Sequence, residues 1–571
     1  MEATLRPARS SFAALRALRR DPIGFLSEAA SQGDVVHVRL PRTPLFVLNR
    51  PDLVRMVLVD RHRDVRKGPT MDAARRMLGE GLLTSHGEAH RRRRRLVQPI
   101  FHHRRIEGYG ATMVELAERV SDRWRDGQTI DVHAEMARLT LSIVGRTLFD
   151  VDVEDERAAR ITGALTDVLA QYDRAFSPWL PITEHLPLPA NRRFDRAKDV
   201  FDETVHGMIR RRRATGAEGD DLLSLLLRAR EDGPGMTDEQ VRDEAITIFL
   251  AGHETTANAL TWTWLLLSEH PEARASLITE LDGVLAGRPP TAADVPSLPF
   301  TRAVLHESIR RYPPAWAIGR RATADLDADG HRIAAGSVLV VSPWLLHHDA
   351  RWWDEPWGFR PERWLEDDPK RPRDAYVPFG AGPRMCVGEG FAWLEATLVL
   401  ATIASRITPL ARPDASDGGT ACDRAAATDG DADGRAPPVK AVALIGANAG
   451  ARVLSRRTRL RPPRRRRPRC HLGSASPTPV PRCARTGGAR IRFPHRTVPT
   501  EPSRPRSRTA ASVHRPSHRT NAGDRRRRRH RPTLASANHS GATRFRSRRR
   551  TPRGLQRRSR RPRADGSHRS P

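Results

Sequence analysis

The segment FGAGPRMCVG at residues 379–388 constrains the possible fold more than any other part of the chain. Cys386 lies directly before an apolar run, VGEGFAWLEATLVLATIA, whose spacing of large side chains predicts a helix. A thiolate at the N-terminus of a helix is stabilised by the helix dipole and by unpaired backbone N–H groups. Arg384 adds a positive charge two residues before the sulfur. These features together predict a functional thiolate, whereas an isolated cysteine in a glycine-rich turn is more often a packing residue.

Gly380, Gly382 and Gly388 remove side chains from a backbone that has to lie flat against a large planar ligand. A haem iron held by cysteine requires an anionic sulfur, donors around it and such a loop. The segment resembles the haem-binding loop of the cytochrome P-450 family, whose pattern F-G-x-G-x-R-x-C-x-G it matches at every fixed position. The resemblance implies a heme b cofactor with Cys386 as the axial thiolate ligand of iron. It also implies further cofactor-binding residues: Phe379, Gly380 and Arg384.

The sequence HRRRRRLV, which begins at His90, contains a run of five arginines. Such a block is usually a solvated face or a nucleic-acid patch. On a helix, however, Arg94 shares a face with His90, while Arg92, Arg93 and Arg95 point elsewhere. The pair resembles the family's H-x-x-x-R, which implies that His90 and Arg94 contact the haem propionates; a plain surface histidine is the alternative for His90. We expect the other three arginines on the proximal surface, where an electron donor docks.

A long helix is predicted from a capping box formed by Thr237 and Gln240 to about His270. The glycine in its central sequence AGHETT lowers helix stability by about 1 kcal/mol relative to alanine, so its presence requires an explanation. Close helix packing is one explanation, but the adjacent acid and alcohol favour a local opening of the helix above a cofactor. The sequence resembles the family's oxygen-binding motif A/G-G-x-D/E-T. The resemblance implies room for oxygen at Ala251 and Gly252, proton supply by Glu254, and a hydrogen bond to dioxygen from Thr255.

Two further motifs complete the resemblance. Glu307 and Arg310 are one helical turn apart and alone predict a surface ion pair. They resemble the family's E-x-x-R, and Arg363, in the downstream sequence PERW, resembles its third member. The resemblance implies that these three side chains form a buried network that holds the loop of Cys386. Arg320 matches a second propionate-binding arginine.

The order of predicted elements favours a chain that is mainly α-helical with a small β-rich lobe. Two strand-like runs lie near the N-terminus, and residues 108–230 have helical spacing. The resemblance extends over about residues 20–406 and implies the cytochrome P-450 fold, in a domain of residues 1–457. Within that domain, residues 408–436 are a low-complexity insertion and residues 437–457 loosely resemble the family's terminal strands.

Cysteine content and the N-terminal sequence indicate the compartment. Four cysteines in a long chain predict no disulfide framework and suit a reducing compartment. The N-terminal sequence has no apolar stretch long enough for a signal peptide or a membrane anchor. We therefore expect a cytoplasmic protein without a membrane anchor; a transit peptide, rich in arginine and serine and poor in acidic residues, is the alternative for the N-terminal segment.

The net charge of +32 lies wholly in the C-terminal tail. Residues 458–571 contain 35 arginines and three acidic residues, whereas residues 1–457 carry no net charge. Low hydrophobicity with high charge predicts a disordered tail. Three explanations are open: nonspecific binding to nucleic acid or anionic membrane, a solvated linker, or translation from the wrong frame of a GC-rich gene. The arginine-rich composition, without lysine, favours the last.

The resemblance implies a haem-thiolate monooxygenase that activates dioxygen and inserts one oxygen atom into a C–H or C=C bond of an apolar small molecule. Because no flavin or iron–sulfur motif follows the domain, we expect separate electron carriers, a ferredoxin and its reductase. One alternative is a peroxide-driven haem-thiolate hydroxylase, which would not need Thr255 or Glu254. Another is an arginine-rich nucleic-acid-binding protein, which would leave residues 1–457 unexplained. Terpenoid, fatty-acid-like and polyketide substrates are all compatible with the sequence.

Overall fold

The structure is a computed structural model of the chain. It describes residues 11–41, 43–125, 128–153, 155–172, 183–216, 219, 221–229, 236–407, 410–411 and 490–493. These residues form fifteen α-helices. The helices are α1 (Ser11–Arg20), α2 (Pro22–Ala30), α3 (Pro51–Arg55), α4 (Pro69–Leu78), α5 (Gly87–Val97), α6 (His103–Ser121), α7 (Val132–Phe149), α8 (Asp155–Tyr172), α9 (Pro189–Thr215), α10 (Leu222–Arg228), α11 (Asp238–Glu269), α12 (Pro271–Leu285), α13 (Pro299–Arg311), α14 (Pro343–His347) and α15 (Glu389–Arg406).

The strands of the described residues form three small sheets. They are β1 (Val35–Arg39), β2 (Pro44–Leu48), β3 (Val65–Lys67), β4 (Gln128–Asp131), β5 (Ile318–Ala322), β6 (Leu326–Ala328), β7 (His331–Ile333), β8 (Val338–Val341), β9 (Leu410–Ala411) and β10 (Arg490–Phe493). The largest sheet has the order β1-β2-β8-β5-β3, with β2 and β8 parallel and the other neighbours antiparallel. β6 and β7 form a hairpin, and β10 lies between β4 and β9. Together these sheets form the small β-rich lobe.

Alternating side chains place the five-stranded sheet between two hydrophobic cores. Val36 and Val47 belong to the large core that the helices share. Phe46, Leu48 and their neighbours face a second, smaller core beneath β6 and β7. One face of the sheet therefore packs against the large core, and the opposite face packs against a smaller core to which Leu53 of α3 and Leu346 of α14 contribute.

The helix α11 runs through the large core, and its predicted capping box is confirmed. The Thr237 hydroxyl accepts a hydrogen bond from the Gln240 N–H at 3.2 Å, and the Gln240 side chain accepts one from the Thr237 N–H at 3.1 Å. The helix ends at Glu269, where the C-cap residue His270 is followed by a proline. Most side chains of α11 are buried, because α7, α9, α13 and α15 pack around it. A buried helix of this length can carry functional groups into the centre of the molecule.

The predicted fold class is confirmed: the chain is mainly α-helical with a small β-rich lobe. The predicted terminal strands at residues 437–457 and most of the insertion at 408–436 lie outside the described residues, as does the predicted boundary at residue 457. In the tail, the described residues are those of β10, which pairs with β4 in the register Ile491 to Ile130. In the described ranges, none of the helices has the length and apolar character needed to cross a membrane.

Candidate active site

Cys386 lies three residues before α15, in the loop predicted to bind haem. Its backbone N–H donates a hydrogen bond to the Phe379 carbonyl, 3.0 Å away, which closes the loop. The thiol is solvent-accessible although protein surrounds it on most sides, so it lies in a recess. Burial raises the pKa of this thiol, while the Gly388 N–H and the charges of Arg94 and Lys67 act to lower it. The loop thus supplies a backbone donor, and α5 and β3 supply the positive charge, that a thiolate ligand requires.

The three glycines of the loop differ in backbone conformation and in the atoms that surround them. Gly382 has φ of +68°, and a Cβ on it would lie 2.1 Å from the carbonyl oxygen of Leu58. Gly380 has φ of +72°, but its Cβ would meet only Ile318, at an ordinary 3.7 Å. Gly388 has φ of −92°, which any residue can adopt. The prediction that all three make room for a flat ligand is therefore wrong at Gly382, where the protein backbone itself excludes a side chain.

A cluster of basic side chains lies beside Cys386. The register of β3 and β5 places Lys67 opposite Arg320, which is buried. Burial and the charges of Arg320 and Arg384 lower the pKa of Lys67 well below its usual range. Burial also lowers the pKa of Arg320 and of Arg384 to about 10. In the described part of the chain, no acidic side chain forms a salt bridge with these three groups. Because unpaired buried charge is costly, the cluster fits a ligand that brings carboxylates, as the two propionates of haem do.

The helix α5 contributes two residues to this cluster. The Arg94 guanidinium donates a hydrogen bond to the Met385 carbonyl at 2.7 Å, next to the cysteine. His90 is buried, and burial together with the neighbouring cations lowers its pKa to about 3, so the imidazole is neutral. Arg384 donates to the Ser85 carbonyl at 2.8 Å. The charges of Arg94 and Lys67 act to lower the pKa of Cys386.

Lys67 was not among the residues that the sequence pointed to. It is one of four lysines in a chain that otherwise uses arginine. The use of lysine rather than arginine at the end of β3 was the sequence feature that could have indicated a special role for this residue. Its place in the cluster depends on the pairing of β3 with β5, which joins residues more than 250 positions apart.

Ala251, Gly252 and Thr255 form a partly exposed face in the centre of the buried helix α11. The Thr255 hydroxyl donates a hydrogen bond to the Ala251 carbonyl at 2.7 Å. The helix is continuous here, so the predicted local opening at the glycine is wrong in this structure. A Cβ on Gly252 would lie 3.0 Å from Val144 of α7, so close helix packing, the alternative explanation, accounts for the glycine.

Glu254 lies on a different face of α11 from Thr255. It is buried, and its Oε1 accepts a hydrogen bond from the Asn258 amide at 3.3 Å. Its Oε2 lies 4.0 Å from the Nδ1 atom of His253. Burial raises the pKa of Glu254 to about 7, against a smaller opposing effect of Asn258. The carboxyl is therefore close to half-protonated at neutral pH, which suits a group that supplies protons.

The structure brings Glu307, Arg310 and Arg363 together. Arg310 donates two hydrogen bonds to the Glu307 carboxylate, at 2.7 and 2.9 Å, and the Arg363 Nε donates one at 3.1 Å. Burial alone would raise the pKa of Glu307, but the two arginines hold it below its usual range. Arg310 also donates to three backbone carbonyls, those of His347, Pro356 and Gly358. These bonds end in the segment 347–364 and not in the loop of Cys386, which corrects that part of the prediction.

Aromatic side chains connect this network to the loop of Cys386. Trp364, which donates to Glu307 at 2.8 Å, stacks on His306 with ring centroids 5.0 Å apart. The His306 ring lies 4.0 Å from Trp393 of α15, and Trp393 meets Phe379 edge to face at 5.4 Å. The network therefore supports the loop through packed rings rather than through hydrogen bonds.

The prediction that Arg93 lies on the proximal surface is wrong. Its guanidinium is 2.8 Å from the carboxylate of Glu244 in α11, and Glu244 also accepts a hydrogen bond from the Leu82 N–H at 2.9 Å. Glu244 is fully buried, so this pair joins α5 to α11 inside the protein. Arg92 and Arg95 are exposed, as expected.

Comparison with known proteins agrees with this geometry. The cytochrome P-450 family model matches residues 19–413. A cyclooctat-9-en-7-ol 5-monooxygenase from Streptomyces melanosporofaciens is 40% identical over 396 residues, which cover 68% of this chain and 85% of its own. A pentalenene oxygenase from Streptomyces avermitilis is 38% identical over 401 residues, which cover 70% of this chain and 89% of its own. Proteins of this family bind haem with a cysteine thiolate as the iron ligand. The chain belongs to the cytochrome P-450 family and is an oxidoreductase that incorporates molecular oxygen.

Proposed function

We propose that this protein is a haem-thiolate monooxygenase that inserts one oxygen atom into a C–H or C=C bond of a cyclic terpenoid. The observation that carries the proposal is the solvent-accessible Cys386 thiol with a cationic cluster beside its loop, together with the partly exposed face in the centre of the buried helix α11. The names of the two Streptomyces relatives, with their cyclic alkenol and pentalenene, favour a terpenoid over the fatty-acid-like and polyketide alternatives.

The chain's own residues hold the cofactor and orient it. Cys386 would be the iron ligand, and Arg94 fixes the adjacent Met385 carbonyl. Lys67 and Arg320 would bind the propionates from the β-rich lobe, with His90 as a neutral donor from α5. When bound, the haem with its thiolate ligand supplies the activation of dioxygen.

The residues that would supply protons lie on α11. Thr255 is the hydroxyl of the partly exposed face, and its oxygen can accept one hydrogen bond while it donates another. Glu254 has the pKa of an acid that exchanges protons near neutral pH, but its carboxyl is turned toward Asn258. We therefore propose that Glu254 supplies protons by rotation of its side chain, and that Thr255 passes them on at its Oγ1.

Thr255→Ala should keep haem and substrate binding but should release much of the consumed reducing power as hydrogen peroxide, because protons no longer reach dioxygen in a controlled way. The ratio of product to electrons consumed and the peroxide yield measure this. Thr279→Ala, which removes an exposed hydroxyl from α12 with the same backbone hydrogen bond, is the control. If the Thr255 variant keeps product formation fully coupled to electron consumption, the enzyme does not use this hydroxyl.

The substrate class can be tested on the haem-loaded protein with panels of cyclic terpenoids, fatty acids and macrolide-type polyketides. Binding of a substrate beside the iron displaces water and shifts the main absorption band of the haem. We expect the largest shifts at the lowest ligand concentrations within the terpenoid panel. Saturable shifts only with fatty acids or polyketides would overturn the terpenoid assignment while leaving the reaction class intact.

We propose that electrons come from an acidic ferredoxin that docks near Arg92 and Arg95, on the exposed side of α5. A cytoplasmic location, which the sequence predicts, would give access to such a carrier. Exchange of both arginines for Gln should slow reduction at low salt and flatten its dependence on ionic strength, with unchanged substrate affinity. The same exchange at Arg192 and Arg196, exposed on α9, is the charge-matched control. An unchanged salt profile in the Arg92 and Arg95 variant would show that the donor binds elsewhere.

A further inference from the structure

The carboxylate of Glu244 holds both ends of one stretch of chain against α11. Its Oε2 accepts a hydrogen bond from the Leu82 N–H at 2.9 Å, and its Oε1 accepts one from the Arg93 guanidinium at 2.8 Å. Glu244 has 0% of its surface exposed, so both bonds lie inside the protein. Because a buried carboxylate that loses a partner is destabilised, the two bonds fix Leu82 and Arg93 to the same point of α11.

The chain just before Leu82 also lies directly on α11. The Glu80 N–H donates a hydrogen bond to the Asp243 carboxylate at 2.7 Å. A Cβ on Gly81 would lie 2.7 Å from the Asp243 carbonyl oxygen, which is closer than a side chain can come to a backbone atom. The segment between α4 and α5 is therefore held against α11 by close backbone packing as well as by the two acids.

This segment continues to the loop of Cys386. Arg384, which belongs to that loop, donates a hydrogen bond to the Ser85 carbonyl at 2.8 Å. Ser85 lies three residues after Leu82. The bond of Glu244 to the Leu82 N–H therefore fixes the chain close to the point at which it meets the loop.

The helix α5 makes a second connection to the same loop. Arg94 donates a hydrogen bond to the Met385 carbonyl at 2.7 Å, and Met385 directly precedes Cys386. Arg93 and Arg94 are consecutive residues of α5. A movement of α5 that breaks the bond of Arg93 to Glu244 therefore also moves Arg94 relative to the loop.

We propose that Glu244 is a positioning residue for the haem-binding side of the protein: it fixes residues 82–93 against α11 and so places Ser85 and Arg94 at the loop of Cys386. This inference rests on the proposed function, in which haem binds at this loop. Glutamine at position 244 would keep an acceptor for the N–H of residue 82 but would lose the ion pair with α5.

Four variants of the full-length, haem-loaded protein test the proposal: Glu244→Gln, Arg93→Leu, the double variant Glu244→Leu with Arg93→Leu, and the control Asp202→Asn. Asp202 accepts a hydrogen bond from Arg242 of α11 at 2.8 Å, so the control weakens an ion pair of the same helix, but one that leads to α9. The readouts are the free energy of unfolding, the rate at which haem passes to an excess of apomyoglobin, and the hydrogen exchange of the backbone amides of residues 82–94.

We expect Glu244→Gln and Arg93→Leu to release haem about tenfold faster than the wild type, a change equivalent to the loss of one hydrogen bond to a charged group. The amides of residues 82–94 should exchange faster in both, and Glu244→Gln remains informative if Arg93→Leu does not fold. Asp202→Asn should lower the stability but release haem at the wild-type rate. The double variant leaves neither charge unpaired, so it should regain stability while haem release and exchange stay fast.

Two results would overturn the inference. The first is a rate of haem release that follows the free energy of unfolding across all four variants, the control included. The second is wild-type exchange of residues 82–94 in Glu244→Gln. A wild type that takes up no haem would contradict the proposed function instead, and hydrogen exchange of the haem-free protein would still show whether Glu244 fixes this segment.

Discussion

Arg310→Leu is expected to lower the free energy of unfolding by about 3 to 5 kcal/mol, because it leaves the Glu307 carboxylate buried without its principal partner. Both side chains have 0% of their surface exposed. The substitution also removes the donors for the carbonyls of His347, Pro356 and Gly358, each of which then loses a hydrogen bond inside the protein. Denaturant unfolding of the purified protein measures the loss, and the haem content of the preparation should fall with it.

The matched control is Arg332→Leu. Arg332 is paired with Asp325 at 2.8 Å, but its side chain is 81% exposed. Solvent screens exposed pairs, which contribute little to stability, so this variant should be close to wild type. Glu307→Gln completes a double-mutant cycle with Arg310→Leu, and we expect the two changes to be strongly non-additive. Equal, small losses for Arg310→Leu and Arg332→Leu would show that the buried network does not stabilise the fold.

The parts of the site that the sequence predicted are those in which residue type and local spacing determine the chemistry. Cys386 precedes a helix and follows glycines, and the acid–alcohol pair of α11 is adjacent in the chain. Glu307 and Arg310 are one turn apart on α13, so their contact follows from helical geometry alone. Long amphipathic stretches made the helical architecture predictable for the same reason.

The parts that the sequence did not predict depend on contacts between distant elements. Lys67 joins the cationic cluster because β3 pairs with β5, and no local pattern announces that pairing. Arg93 looks identical to its neighbours in a run of arginines, but Glu244 of α11 pairs with it inside the protein. Side-chain direction around a helix follows from spacing, whereas the partner that a neighbouring helix offers does not.

Contacts between distant elements also explain why the predictions about two glycines of the site were wrong. Gly252 suggested a helix opened for oxygen, yet its neighbour is Val144 of α7. Gly382 suggested a flat ligand, yet its neighbour is the Leu58 carbonyl. A glycine in a sequence indicates that something comes close, but only the fold shows what that is.

Cys386→Ser is expected to abolish thiolate ligation entirely. A serine hydroxyl has nearly the same size, but it stays protonated at neutral pH, because the Gly388 N–H and the charges of Arg94 and Lys67 cannot offset the far higher basicity of an alkoxide. The variant should still fold, since Glu307, Arg310 and the aromatic cluster do not touch the sulfur. Cys422→Ser, which alters a cysteine outside the matched family region, is the control.

The measurement that tests this account most directly is the absorption spectrum of the reduced, carbon monoxide-bound protein. Thiolate ligation gives a strongly red-shifted main band in this family, and ligation by a neutral group does not. We predict the red-shifted band in the wild type and in Cys422→Ser, and its complete loss in Cys386→Ser, with Cys386→His as a second variant that retains haem through a neutral imidazole. A red-shifted band that persists in Cys386→Ser would contradict the assignment of Cys386 as the haem ligand.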